Sequence, residues 1–126
     1  MSQKKILIIE DEQEIADLMS DLLKAENYEV IWIDDGRKGI QKAKQELPDL
    51  IVLDLMLHDV HGVNVCKSIK SNESTARIPI MIYTGRMEPG LAQDVIKAGG
   101  DLYVSKVTPP SKVVEIIKDL LKQHSK

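Results

Sequence analysis

Short apolar runs alternate along this chain with segments whose apolar residues recur three and four positions apart. The runs predict strands over Lys5–Ile9, Tyr28–Ile33, Leu50–Leu53, Ile78–Tyr83 and Asp101–Val104. Between them the helical spacing predicts Gln13–Ala25, with Ile15, Leu18, Met19, Leu22 and Leu23 on one face. A second helix is predicted over Arg37–Glu46, with Ile40, Ala43 and Leu47 inward and Pro48 as its stop. A third follows over Val63–Ser71 and a fourth over Pro89–Ala98, ended by Gly99 and Gly100. The last helix opens near Pro109 and Pro110 and carries Val113, Ile116, Ile117, Leu120 and Leu121 as its stripe. Strand and helix thus alternate five times, which predicts an α/β fold with a parallel sheet covered on both faces. Right-handed crossovers favour the flavodoxin-like strand order 2-1-3-4-5.

Several polar residues fall where these strands run out. Ile6–Ile9 leads into Glu10, Asp11 and Glu12, and Leu50–Leu53 leads into Asp54. Thr84 follows the fourth run, and Ser105 and Lys106 follow the fifth. In open α/β sheets the carboxyl ends of the strands form the ligand site. Carboxylates crowded there repel one another, and a divalent cation with oxygen ligands relieves that conflict. Taken singly, Asp11 reads as a helix cap, Thr84 as a turn residue and Lys106 as a solvated lysine. Those readings do not explain why all reach one edge.

Composition narrows the picture. The chain of 126 residues is 43% hydrophobic and 29% charged, as expected for one globular domain with an ordered core over about 4–122. A net charge of −3 gives no electrostatic case for nucleic-acid binding. The single cysteine, Cys66, has no internal disulfide partner, so a reducing, cytoplasmic setting is expected. No apolar run is long enough to span a bilayer.

The stretches IIEDE, IVLDLML, MIYTG and AGGDLYVSK, in that order and at those strand ends, resemble the receiver domains of two-component response regulators. The resemblance covers essentially the whole chain. It implies that Asp54 accepts a phosphoryl group from a sensor histidine kinase or phosphotransfer protein. It implies Mg²⁺ held by Asp11, Asp54 and the backbone carbonyl of Met56, with Glu10 acting through water. Lys106 would meet a phosphoryl oxygen as a point charge. Thr84 and Tyr103 would form a switch that alters the surface of the fourth helix, fifth strand and fifth helix for a downstream protein effector. Met56 and Arg86 occupy the positions that tune the lifetime of the modified state in this family. Met56 offers no strong hydrogen bond to a water and Arg86 offers a charge, so slow dephosphorylation is expected.

Four positions depart from the family pattern, one of them Thr108, where an aromatic is common. Val107 stands where a proline usually follows the lysine, so a trans Lys106–Val107 peptide, a shifted loop and a less firmly aimed Lys106 are expected. His58 replaces a usual proline, so the loop HDVHG is expected to be solvated and more mobile, with His58 and His61 lacking partners at metal-ligand spacing. Leu102 replaces a second acid, which argues against a salt-bridged dimer face; it reads either as a more apolar partner contact or as a modestly covered strand residue, and a monomer or weak dimer is expected. A phosphorylation-independent docking module is the principal alternative. A hydrolase of the haloacid dehalogenase type needs an Asp where Met56 stands, and a flavodoxin needs a Ser/Thr/Gly-rich loop after the first strand.

Overall fold

A computed structural model describes residues 3–85 and 89–124. Its five strands are all parallel and lie in the order β2-β1-β3-β4-β5. They are β1 (Lys5–Ile9), β2 (Glu29–Ile33), β3 (Leu50–Leu53), β4 (Ile80–Thr84) and β5 (Leu102–Ser105). The helices are α1 (Gln13–Ala25), α2 (Gly36–Glu46), α3 (Gly62–Ser71), α4 (Leu91–Lys97) and α5 (Pro110–Gln123). The flavodoxin-like order expected from the sequence is therefore the order found.

Alternation along the strands builds two cores. Ile6, Ile8, Val52, Met81 and Tyr83 face Met19 and Leu23 of α1 and Val113, Ile117 and Leu121 of α5. Leu7, Ile9, Ile51, Leu53 and Ile82 face Ala43 of α2, Val65 and Ile69 of α3 and Val95 of α4. Because β1, β3 and β4 are covered on both sides, their interiors are apolar without a break, and polar residues such as Lys5 and Thr84 are confined to the strand ends.

Some boundaries and burials differ from expectation. The buried face of α1 centres on Ala16, Met19 and Leu23, which leaves Leu18 at its margin and 47% exposed. Leu47 is not inward: it is the left-handed C-cap of α2 and 54% exposed. Pro48 disfavours a helical residue before it, so the chain turns outward at Leu47 and returns through the proline. Helix α4 begins at Leu91 because Gly90, with φ of 84°, sets a left-handed entry and leaves Pro89 outside. Strand β4 begins beyond Pro79, whose carbonyl accepts the Ile51 amide, and extends through Thr84. Val114 joins the buried stripe of α5. Among the described residues no helix is long and apolar enough to cross a membrane.

Candidate functional site at the carboxyl edge of the sheet

The sheet register carries the polar residues to one edge. Ile9 pairs with Leu53 in adjacent strands, so Glu10 and Asp54 leave the sheet side by side, with the Asp54 amide donating to the Ile9 carbonyl at 3.0 Å. Thr84 closes β4 and Ser105 closes β5 in register. The Lys106 amide donates to the Thr84 carbonyl at 2.9 Å, which fixes where the lysine begins.

Two of the carboxylates are buried. Glu10 is 2% and Asp54 3% exposed, and both pair with Lys106: Nζ lies 2.9 Å from Glu10 Oε1 and 3.0 Å from Asp54 Oδ2. Glu12 Oε1 lies 3.6 Å from the same ammonium. Burial pushes the Glu10 carboxyl up to about 7; the Lys106 hydrogen bond opposes the shift, and the Asp54 charge adds to it. Burial works against the Lys106 ammonium, but the hydrogen bonds and charges of Glu10 and Asp54 outweigh it and raise its pKa above the ordinary range. Lys106, 12% exposed at its side chain, is thus held between two buried acids. No cis peptide occurs among the described residues, so Lys106–Val107 is trans as expected, and Val107 points into solvent at 90% exposure. The buried acids, rather than a proline in the loop, hold the lysine.

Glu10, Asp11, Glu12 and Asp54 each bring a carboxylate oxygen within 4.8 Å of the others. An all-oxygen donor set of partly buried, mutually repelling carboxylates suits a hard divalent cation such as Mg²⁺. Asp54 Oδ1 accepts the Met56 amide at 3.3 Å, so the backbone of Met56 adjoins the cluster while its side chain is exposed. Asp11 does not cap α1: the N-cap is Glu12, with no side-chain cap bond, and the Asp11 carboxylate faces His58 Nδ1 at 3.2 Å.

The loop after Asp54 is tied down at several points. Met56 and His61 form an isolated antiparallel bridge, and His61 Nδ1 accepts the Val63 amide as the cap of α3. The Gly62 amide donates to the Leu55 carbonyl at 2.8 Å. Asp59 accepts the amides of Gly36 at 2.9 Å and Arg37 at 3.0 Å, fastening the loop to the start of α2. Desolvation pushes the Asp59 carboxyl up, but those amides, with the Asp35 side chain and the Val60 amide, prevail and hold it at about 2.

Thr84 is fully buried at the end of β4, and Tyr103 packs half-buried on the α2–α3–α4 side of the sheet. Arg86 lies outside the described residues. Sequence reasoning did not anticipate Asp59 or Trp32, whose indole N–H donates to the Glu10 carbonyl at 2.7 Å. Both bonds span elements distant in sequence, and an aspartate in a polar loop or a tryptophan in a strand carries no local mark of its partner.

Fold and site together define a flavodoxin-like domain that gathers acids, a threonine and a lysine at one sheet edge. The chain belongs to the response regulator receiver domain family, whose model matches residues 6–118. It is 35% identical over 120 residues to the alkaline phosphatase synthesis transcriptional regulatory protein PhoP of Bacillus subtilis, covering 95% of this chain and 49% of that protein. It is 31% identical over 118 residues to the polar-differentiation response regulator DivK of Brucella ovis, covering 94% and 96%. The chain thus spans about half the length of the transcriptional regulator and nearly all of DivK. Among solved structures, a CheY-like receiver domain protein from Methanospirillum hungatei superposes with a TM-score of 0.92 at 27% identity, covering 98% of this chain and 97% of that one. The phosphorylated cyanobacterial phytochrome response regulator RcpA superposes with a TM-score of 0.79 at 26% identity, covering 94% and 91%.

Proposed function

We propose that the 126 residues form a single receiver domain that takes a phosphoryl group onto Asp54 in a Mg²⁺-dependent reaction. The observation that carries this reading is the bridging of Asp54 and Glu10 by one Lys106 ammonium at a carboxylate-rich sheet edge. The phosphorylated state named for RcpA agrees with it.

In the step proposed, a carboxylate oxygen of Asp54 attacks the phosphorus of a phosphohistidine on a kinase or phosphotransfer protein. The O–P bond forms as the P–N bond breaks, and the departing imidazole nitrogen keeps its electron pair and takes a proton from water. Asp54 is suited to attack because Lys106 and the Met56 amide fix its two oxygens. Lys106 would turn from the Asp54 oxygen to a phosphoryl oxygen, and Thr84 would donate its hydroxyl to another. Asp11, Asp54 and the Met56 carbonyl would hold Mg²⁺, with Glu10 and Glu12 beside them. The ion would supply charge neutralisation at the phosphoryl oxygens. Water attack on the acyl phosphate would reverse the modification. Met56 and Arg86 would make that slow, and an M56N/R86A double variant is expected to hydrolyse faster.

Output would pass by protein contact. Modification at Asp54 would draw Thr84 toward it, and Tyr103 would follow inward, changing the surface of α4, β5 and α5. The domain would act in the cytoplasm as a monomer or weak dimer, without touching nucleic acid itself.

The test is intact-protein mass after incubation with acetyl phosphate and Mg²⁺, for wild type and D54N. One phosphoryl adduct is expected in wild type, absent from D54N and without metal. No adduct in wild type would leave a receiver fold used for docking alone.

A further inference from the structure

We propose that Trp32 is a positioning residue for the acidic β1–α1 turn, acting through the Glu10 carbonyl. The inference rests on the cation site proposed above and adds a residue to its support.

Glu10 sits where the ladder between β1 and β2 ends. The last paired residues are Ile9 and Ile33, and the Glu10 amide makes the final backbone bond, to the Ile33 carbonyl at 3.1 Å. Beyond it the chain leaves the sheet, so the Glu10 carbonyl accepts the Trp32 indole N–H at 2.7 Å from the neighbouring edge strand. That carbonyl belongs to the peptide that carries Asp11. With Glu10 Oε1 on Lys106 and Oε2 on the Glu12 amide at 3.1 Å, every polar group of Glu10 is engaged. The indole fixes the plane of the Glu10–Asp11 peptide, and the peptide plane fixes where the Asp11 carboxylate departs. The ring is itself held, because Trp32 packs against the core shared with α1 and α5. Phenylalanine would fill much of that space and donate nothing. Partners bonded directly to a metal ligand typically change affinity about 10- to 100-fold when removed; Trp32 acts one peptide further out, on the Glu10 carbonyl, so the lower end of that range applies.

The test is calorimetric titration of the whole chain with Mg²⁺, for wild type, W32F and V30A. Val30 packs on the same core and pairs with Ile6, four residues before Glu10, so V30A reports the effect of lost packing alone. W32F is expected to bind Mg²⁺ about tenfold more weakly, while V30A lowers the melting temperature and keeps the wild-type affinity. The chain has one tryptophan, so its indole N–H gives a single ¹⁵N–¹H cross-peak. That peak is expected to move saturably with Mg²⁺ in wild type and to stay still in D11N. W32F binding as tightly as wild type, or weakened no more than V30A, overturns the inference while the cation site stands. Wild type taking up no Mg²⁺ overturns both.

Discussion

Lys106 Nζ lies 3.0 Å from Asp54 Oδ2 and so ties the end of β5 to the end of β3 across the intervening β4. The same ammonium serves buried Glu10, and a cation bound among these acids would compete for the same oxygens. K106M is therefore expected to lose about 3 kcal/mol in metal-free buffer, because it removes the ammonium that pairs with two buried carboxylates among the described residues. Mg²⁺ should then raise its melting temperature by more than it raises that of wild type. Thermal melts with EDTA and with Mg²⁺ decide this. An equal or smaller metal increment in K106M would mean that the lysine and the cation do not share a site.

Asp59 links stability to acid. Its carboxyl sits at about 2 against an ordinary 3.8, so the folded state favours the charged form. Its contribution is fully present above the ordinary value and is lost as the pH falls toward the folded one. D59A is expected to cost about 1 kcal/mol near neutral pH, as for a lost helix cap. The difference between wild type and D59A, read from urea melts, should shrink as the pH drops below 3.8. A difference that persists unchanged at the acid end would assign the effect to packing.

Gly62 is a packing constraint on the site. A Cβ there would lie 2.5 Å from both the Asp54 carbonyl oxygen and the Leu55 Cα, which are backbone atoms and cannot step aside. G62A is expected to destabilise by about 1–3 kcal/mol and to slow phosphoryl uptake by displacing Asp54. Wild-type stability together with wild-type uptake would show that α3 can shift away from the Asp54 loop.

Cys66 should be inert in the folded protein. Burial pushes its thiol up to about 11, with a weak contact from Sγ to the Ala98 carbonyl at 3.5 Å. Alkylation is therefore expected to be slow in native buffer and fast in urea, when the thiol returns to its ordinary range. Rapid native alkylation would show that the α3–α4 side opens readily.

The sequence by itself determined the alternation of elements and the parallel sheet, because unbroken apolar runs are satisfied by strands covered on both faces, and right-handed crossovers favoured the order found. It also marked Glu10, Asp11, Asp54, Thr84 and Lys106, since a polar residue directly after a buried strand must leave at the sheet's carboxyl edge. Periodicity was less decisive at helix margins. Leu18 and Leu47 fit an apolar stripe, yet what the sheet covers depends on how each helix is rotated and where Pro48 turns the chain.

Only the tertiary structure decided the contacts that hold the edge together. Lys106 is aimed by Glu10 and Asp54 despite lacking the following proline, and the His58–Asp11, Asp59–α2 and Trp32–Glu10 bonds tie loops to distant elements. Hydrophobic periodicity reports which face of an element is buried. A hydrogen bond between residues tens of positions apart depends on strand register and loop path, and these are fixed only when the whole sheet assembles.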